Sequence, residues 1–209
     1  MTAVTVKLCG IRTLEHACAA VEAGAEYLGF VLAPGYRRHV APEVVREITS
    51  ALGRGRARYV GVFVDPDPEE ARRVALYAGL DLVQLSGQES PADVRAVGVE
   101  ALKVVHVAAE GNVLPEVERY AEVARMVVLD AYKAGSAGGN GQAFEWSLAA
   151  EVTGRYPVML AGGLTPETVA AAIAAVRPAG VDVSSGIETE GVKDPEKMRA
   201  FVEAVREAR

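Results

Sequence analysis

Cys9 and Asp130 are the two side chains of this sequence best suited to move protons. Each closes a short apolar run, Val4-Thr5-Val6-Lys7-Leu8-Cys9 and Met126-Val127-Val128-Leu129-Asp130. A thiol and a carboxyl ordinarily titrate near ~8.5 and ~3.9. Held on opposite sides of one substrate, such groups form a base and an acid. Gly10 supplies a permissive turn after Cys9, and Arg12 is close enough in sequence to offer the thiol a cation. The bland readings stand beside these. A buried cysteine is usually a small inert hydrophobe, and an aspartate at a strand end often caps a loop.

A second set of residues suits anions. Gly162-Gly163 allows backbone N–H groups to approach a ligand closely, and Ser184-Ser185-Gly186 adds hydroxyls and further N–H groups. The basic turn Pro34-Gly35-Tyr36-Arg37-Arg38-His39 brings guanidinium groups. Elsewhere such Gly-Gly and Ser-Ser-Gly runs are ordinary turns. The other candidates are weaker. His106 ends an apolar run and has some chance of reaching a site; His16 and His39 read as surface and loop, Cys18 as helix core, and Trp146 as packing. No His, Cys, Asp or Glu spacing indicates a metal, and no cofactor is expected.

These residues are placed by a β–α alternation running from end to end. The expected strands are Val4–Cys9, Tyr27–Leu32, Tyr59–Val64, Asp81–Leu85, Ala101–His106, Met126–Asp130, Pro157–Leu160 and Val181–Val183. Helices are expected between them, with Thr13, Ser90 and Asp194 as starts, Pro42 in a first turn, and Gly24 and Gly79 as stops. The strands are rich in Val, Leu, Ile and Ala without alternation, as in parallel sheets buried on both faces. The economical solution is α/β: one domain over residues 1–209, a single (β/α)8 barrel of the TIM type. A doubly wound sheet needs a G-x-G-x-x-G after its first strand, which is absent. In a barrel, chemistry sits at the C-terminal strand ends, and phosphate is cradled after strands seven and eight. Cys9 and Asp130, on strands one and six, would then face each other across the mouth. The loop 131–144, with Gly135, Gly138, Gly139 and Gly141, reads as a lid over the site.

Half of the 209 residues are apolar, 24% are charged and the net charge is −6, which suits a soluble domain and carries no nucleic-acid footprint. Two cysteines make no disulfide framework. No targeting segment is expected before the first strand, and no apolar run approaches a membrane span. A cytoplasmic protein is expected, monomeric or homodimeric.

The motifs also match a family. Lys7-Leu8-Cys9-Gly10-Ile11, Gly29-Phe30-Val31 leading to Arg38, Val83-Gln84-Leu85, Leu129-Asp130, Gly138-Gly139-Asn140-Gly141 with Phe144-Glu145-Trp146, Ala161-Gly162-Gly163-Leu164, and Asp182-Val183-Ser184-Ser185-Gly186-Ile187-Glu188 together resemble phosphoribosylanthranilate isomerase. The resemblance covers the whole chain in order. It implies an Amadori rearrangement of N-(5-phosphoribosyl)anthranilate, without metal or organic cofactor. Cys9 matches the general base and Asp130 the general acid. Arg38 matches the arginine near the anthranilate carboxylate, with Gln84, Gly139 and Gly141 lining the substrate. Gly162, Gly163, Ser184, Ser185 and Gly186 match the phosphate cradle. The chain departs from the pattern at Ser86, where His is usual, at Tyr36-Arg37-Arg38, where Arg37 can share the role of Arg38, and at Arg12. Other phosphosugar barrels are rivals. Epimerases often carry strand-end histidines, and an indole-forming synthase needs a strand-end lysine; Lys7, two residues before its strand end, is expected to point away from the mouth. A barrel that only binds a phosphorylated ligand is the non-enzyme alternative.

Overall fold

Residues 4–107, 113–130 and 146–208 are described by the structure, a computed structural model. The lid segment 131–144, with Gly139 and Gly141, lies outside the described residues. Eight parallel strands close into a ring: β1 Thr5–Cys9, β2 Tyr27–Val31, β3 Arg58–Phe63, β4 Leu82–Leu85, β5 Ala101–His106, β6 Met126–Asp130, β7 Val158–Ala161 and β8 Gly180–Val183. The ring is sealed by β1 against β8, with Lys7 beside Asp182. Between and after the strands run α1 Leu14–Ala23, α2 Pro42–Leu52, α3 Pro68–Tyr77, α4 Pro91–Ala96, α5 Leu114–Tyr120, α6 Trp146–Thr153, α7 Val169–Val176 and α8 Pro195–Glu207. This is the (β/α)8 barrel expected from the sequence.

Local chemistry explains why the elements stop where they do. Thr13 Oγ1 accepts from the His16 N–H at the start of α1, and Gly24 closes that helix at φ 94°, a left-handed position that glycine tolerates. Ser90 and Asp93 cap α4 reciprocally, and Asp194 Oδ1 accepts from the Glu196 and Lys197 N–H groups at the start of α8. The start of α7 falls at Val169, after a turn over residues 166–168.

Period-two alternation sorts the strand residues into two apolar cores. Tyr27, Val60, Leu82, Leu102, Val104, Val128, Met159 and Ala161 pack together inside the ring. The opposite faces of the strands join the helices in the larger shell, with Leu8, Phe30, Leu85, Val105, Leu129 and Phe201 among its buried members.

A small element absent from the sequence reading follows β8. A single 3-10 turn, Ser185–Ile187, leads into a hairpin of two two-residue strands, β9 Glu188–Thr189 and β10 Val192–Lys193. It lies over the C-terminal mouth beside the loop that follows β2, as the Arg37 N–H bond to the Gly191 carbonyl shows (3.1 Å).

Candidate active site

Cys9 ends β1 and is buried, 8% exposed. Asp130 ends β6, three strands round the ring by way of β7 and β8, so the two project from opposite sides of the mouth. Asp130 is half-buried and lies 4.0 Å from His106 Nδ1 at the end of β5. The other imidazole nitrogen of His106 donates to the Ser86 carbonyl (3.2 Å), which fixes the ring at the rim of the site. His106 therefore does reach the site. Its half-exposed ring lies between the Asp130 carboxylate and solvent.

Lys7 does not point away from the mouth. It shares the inward face of β1 with Cys9, because side chains two apart in a strand lie on one side. The ammonium is fully buried and bonds Asp182 Oδ2 of β8 at 2.8 Å. Burial disfavours its charge, but the Asp182 carboxylate and then Cys9 outweigh that and hold the Lys7 pKa above its usual value. Lys7 and Cys9 also converge on Gly29 of β2, where a side-chain carbon would stand 2.7 Å from Cys9 Sγ and 3.0 Å from Lys7 Nζ. Gly29 thus leaves the room in which the thiol and the ammonium meet. Lys7→Met would strand the Asp182 carboxylate, and removing one partner of a buried pair costs about 3–5 kcal/mol. Denaturant unfolding should show that loss, and a Lys7→Met/Asp182→Leu double variant should recover most of it. Equal stability of Lys7→Met and wild type would contradict the pairing.

The basic turn after β2 resolves into two unlike arginines. Arg38, 24% exposed, bonds Glu188 side-on, Nε to Oε1 at 2.6 Å and Nη2 to Oε2 at 2.9 Å. Its stem packs on Gly10, directly after Cys9; a side-chain carbon there would stand 2.5 Å from Arg38 Cδ, and the φ of 81° independently calls for glycine. Arg37, 56% exposed, reaches outward to Glu188 Oε2 and the hairpin carbonyl of Gly191. The geometry thus places Arg38, and not Arg37, against the strand that carries the thiol.

Lys193 completes the cluster. Buried, it donates to Glu188 Oε1 (2.8 Å) and to the Ser184 carbonyl (2.7 Å). Burial lowers its pKa, with Glu188 opposing the fall. Ser184 Oγ in turn donates to the Cys9 carbonyl (3.2 Å). Burial alone would raise the Glu188 pKa; hydrogen bonds from Arg38, Lys193 and Arg37 more than reverse that and hold it at about 2. A carboxylate depressed from 4.5 to about 2 adds stability that is present above the unfolded value and is lost as pH falls toward 2. Each unit is worth ~1.36 kcal/mol, so the acid limb of stability should be flatter in Glu188→Gln by up to about 3 kcal/mol between pH 5 and 2. Identical acid limbs in urea titrations of the two proteins would contradict the depressed value. Three cations thus share one carboxylate at this side of the mouth.

The Gly162-Gly163 and Ser184-Ser185-Gly186 loops follow β7 and β8. Gly162 and Gly163 adopt φ of 92° and 68°, and a side chain on Gly163 would meet open space. Gly186 has no such room, because a side chain there would overlap the Leu164 carbonyl, so the two loops press backbone to backbone. Gln84 is buried on β4, its Nε2 donating to Ser86 Oγ (3.3 Å) and its Oε1 without a hydrogen-bond partner. Asp65, another strand-end carboxylate, is structural: at φ 45° it accepts from the Gln88 N–H (2.6 Å). Its own N–H donates to Glu89, whose carboxylate pairs with buried Lys103 at 2.9 Å. Trp146 packs on the shell core, and Cys18 is partly buried against it. His16 departs from its surface expectation: it is half-buried, its Nδ1 lacks a partner, and burial lowers its pKa. Among the described residues no three His, Cys, Asp or Glu gather as a metal site, and no helix is long and apolar enough to cross a membrane.

A sequence model of the N-(5'phosphoribosyl)anthranilate (PRA) isomerase family matches residues 6–204. The chain belongs to that family. An N-(5'-phosphoribosyl)anthranilate isomerase from Desulforudis audaxviator is 47% identical over 205 residues, covering 97% of this chain and 98% of that protein. One from Roseiflexus is 42% identical over 215 residues, with 98% and 99% covered. Among solved structures, the Thermotoga maritima phosphoribosyl anthranilate isomerase superposes with a TM-score of 0.89 at 38% identity, over 98% of this chain and 99% of that one. A phosphoribosyl anthranilate isomerase in complex with reduced 1-(o-carboxyphenylamino)-1-deoxyribulose 5-phosphate superposes with a TM-score of 0.85 at 36% identity, over 98% and 99%. The family's members are isomerases.

Proposed function

We propose that this protein catalyses the Amadori rearrangement of N-(5-phosphoribosyl)anthranilate to 1-(2-carboxyphenylamino)-1-deoxyribulose 5-phosphate in tryptophan biosynthesis. The observation that carries the reading is the buried thiol at the end of β1 facing the carboxyl at the end of β6, inside a ring whose mouth carries the Arg38 guanidinium.

Asp130 gives its proton to the furanose ring oxygen. The nitrogen lone pair forms a double bond to C1 as the C1–O bond breaks, leaving an open-chain Schiff base. Cys9, as thiolate, removes the proton from C2; the C2–H electrons form a C1–C2 double bond, and the iminium pair returns to nitrogen. The enolamine then gains a proton at C1 and loses one from the C2 hydroxyl, which makes the ketone. The buried Lys7 ammonium beside Cys9 offers the anionic base a complementary charge. The substrate is anionic at both ends. Arg38 takes the aromatic carboxylate, since a guanidinium fork can donate two parallel bonds. The backbone of Gly162 and Gly163 and of Ser184, Ser185 and Gly186 holds the phosphate. Close backbone contact at Gly186 and open space at Gly163 favour that cradle. The Ser184 hydroxyl is engaged with Cys9, so this residue contributes through its N–H. Gln84 faces the same interior and is assigned to the substrate.

The reading is tested by complementation. A bacterial strain lacking its own phosphoribosylanthranilate isomerase should grow without tryptophan when it expresses this chain, and should not grow on the Cys9→Ala version. Failure of the intact chain to restore growth, despite soluble expression, would overturn the assignment.

A further inference from the structure

Glu188 is the hub of the positive cluster, and no step of the proposed reaction uses it. Four N–H bonds end on its buried carboxylate: two from Arg38 (2.6 and 2.9 Å), one from Arg37 (2.6 Å) and one from Lys193 (2.8 Å). Their geometry is not equivalent. Arg37 is exposed and touches one oxygen, whereas Arg38 meets both oxygens side-on through Nε and Nη2. Side-on pairing fixes the plane of a guanidinium as well as its position.

Glu188 is itself held. It opens β9, whose hairpin partner β10 carries Lys193, and Lys193 ties it to the Ser184 carbonyl (2.7 Å). Ser184 is tied to the Cys9 carbonyl (3.2 Å). An unbroken run of bonds therefore leads from the strand that bears the thiol, through Ser184, Lys193 and Glu188, to Arg38. The Arg38 stem returns to that same strand end at Gly10.

We propose that Glu188 is a specificity-determining positioning residue, which sets the plane of Arg38 so that the enzyme prefers substrates carrying a carboxylate on the aromatic ring. The inference rests on the function proposed above. An arginine that is already ordered loses less side-chain freedom when a ligand binds. Glu188 does not simply neutralise Arg38, because its carboxylate is shared among three cations.

The test uses two stable ligands: reduced 1-(2-carboxyphenylamino)-1-deoxyribulose 5-phosphate and the anilino counterpart that lacks the ring carboxylate. Affinities are measured calorimetrically for the full-length wild type, Glu188→Gln, Arg38→Ala and the double variant. Glu188→Gln should weaken the carboxylated ligand by ~10-fold and the anilino ligand by less than ~2-fold. Arg38→Ala should show the same pattern more strongly, and the double variant should be no worse than Arg38→Ala, since one residue acts through the other. Equal weakening of both ligands would make Glu188 a structural anchor of the hairpin and overturn the proposal. So would no weakening of either, or additive losses in the double variant. If Glu188→Gln does not fold, Glu188→Asp carries the same comparison, with a smaller selective loss expected and an equal or absent loss contradicting. A wild type that binds neither ligand and lacks isomerase activity would refute the function itself; an active, discriminating wild type matched by Glu188→Gln would refute only the role of Glu188.

Discussion

Cys9→Ala should fold as the wild type does and lose ~10²–10⁴ in kcat, the usual cost of removing a positioned proton-transfer group. The side chain is small and almost wholly buried, so its loss opens little space. Its neighbours keep partners when the thiol is gone, Lys7 with Asp182 and Ser184 with the Cys9 carbonyl, and should stay in place. Affinity for the reduced product should therefore change only a few-fold, because base and substrate interact most strongly in the transition state. Stopped-flow turnover together with calorimetric binding separates the two quantities. A variant retaining more than about a tenth of the activity would show that the thiol is not the base.

Asp130→Asn should lose a comparable ~10²–10⁴ in kcat, again without loss of binding. The amide keeps the shape and much of the hydrogen-bonding capacity of the carboxyl, but has no acid proton to give to the ring oxygen. Circular dichroism and urea unfolding should overlay those of the wild type. An unfolded or aggregated variant would instead mark Asp130 as a structural cap. His106 Nδ1 lies 4.0 Å from the carboxylate, beyond hydrogen-bonding distance. His106→Gln should accordingly cost far less than Asp130→Asn in the same assay.

The barrel was readable because every strand is a short apolar run with a turn signal after it, and the observed strands begin and end within a residue of those read from the sequence. The strand ends carrying Cys9, His106 and Asp130 fall where expected for the same reason. Lys7 is more instructive. Its inward direction is the opposite of the one expected, although two-residue alternation puts it on the same face as Cys9. Yet a buried ammonium is credible only with a partner, and that partner, Asp182, lies 175 residues further on. The β9–β10 hairpin was hidden because two-residue strands carry no periodicity. Glu188 stood in the quoted motif without a role, since its bond to Arg38 spans 150 residues. The Ser184 hydroxyl donates to the Cys9 carbonyl, a bond made by the closure of β8 on β1 that no local pattern shows.

The most direct test mixes purified protein with N-(5-phosphoribosyl)anthranilate in the presence of a metal chelator and without added cofactor, and follows the fluorescence of the substrate while the product is identified by chromatography. The fluorescence should fall rapidly as 1-(2-carboxyphenylamino)-1-deoxyribulose 5-phosphate accumulates, and should fall at a rate lower by ~10²–10⁴ with Cys9→Ala or Asp130→Asn. No decay above the uncatalysed rate, release of free anthranilate in place of the ketose, or undiminished turnover by either variant would contradict an acid at Asp130 and a base at Cys9.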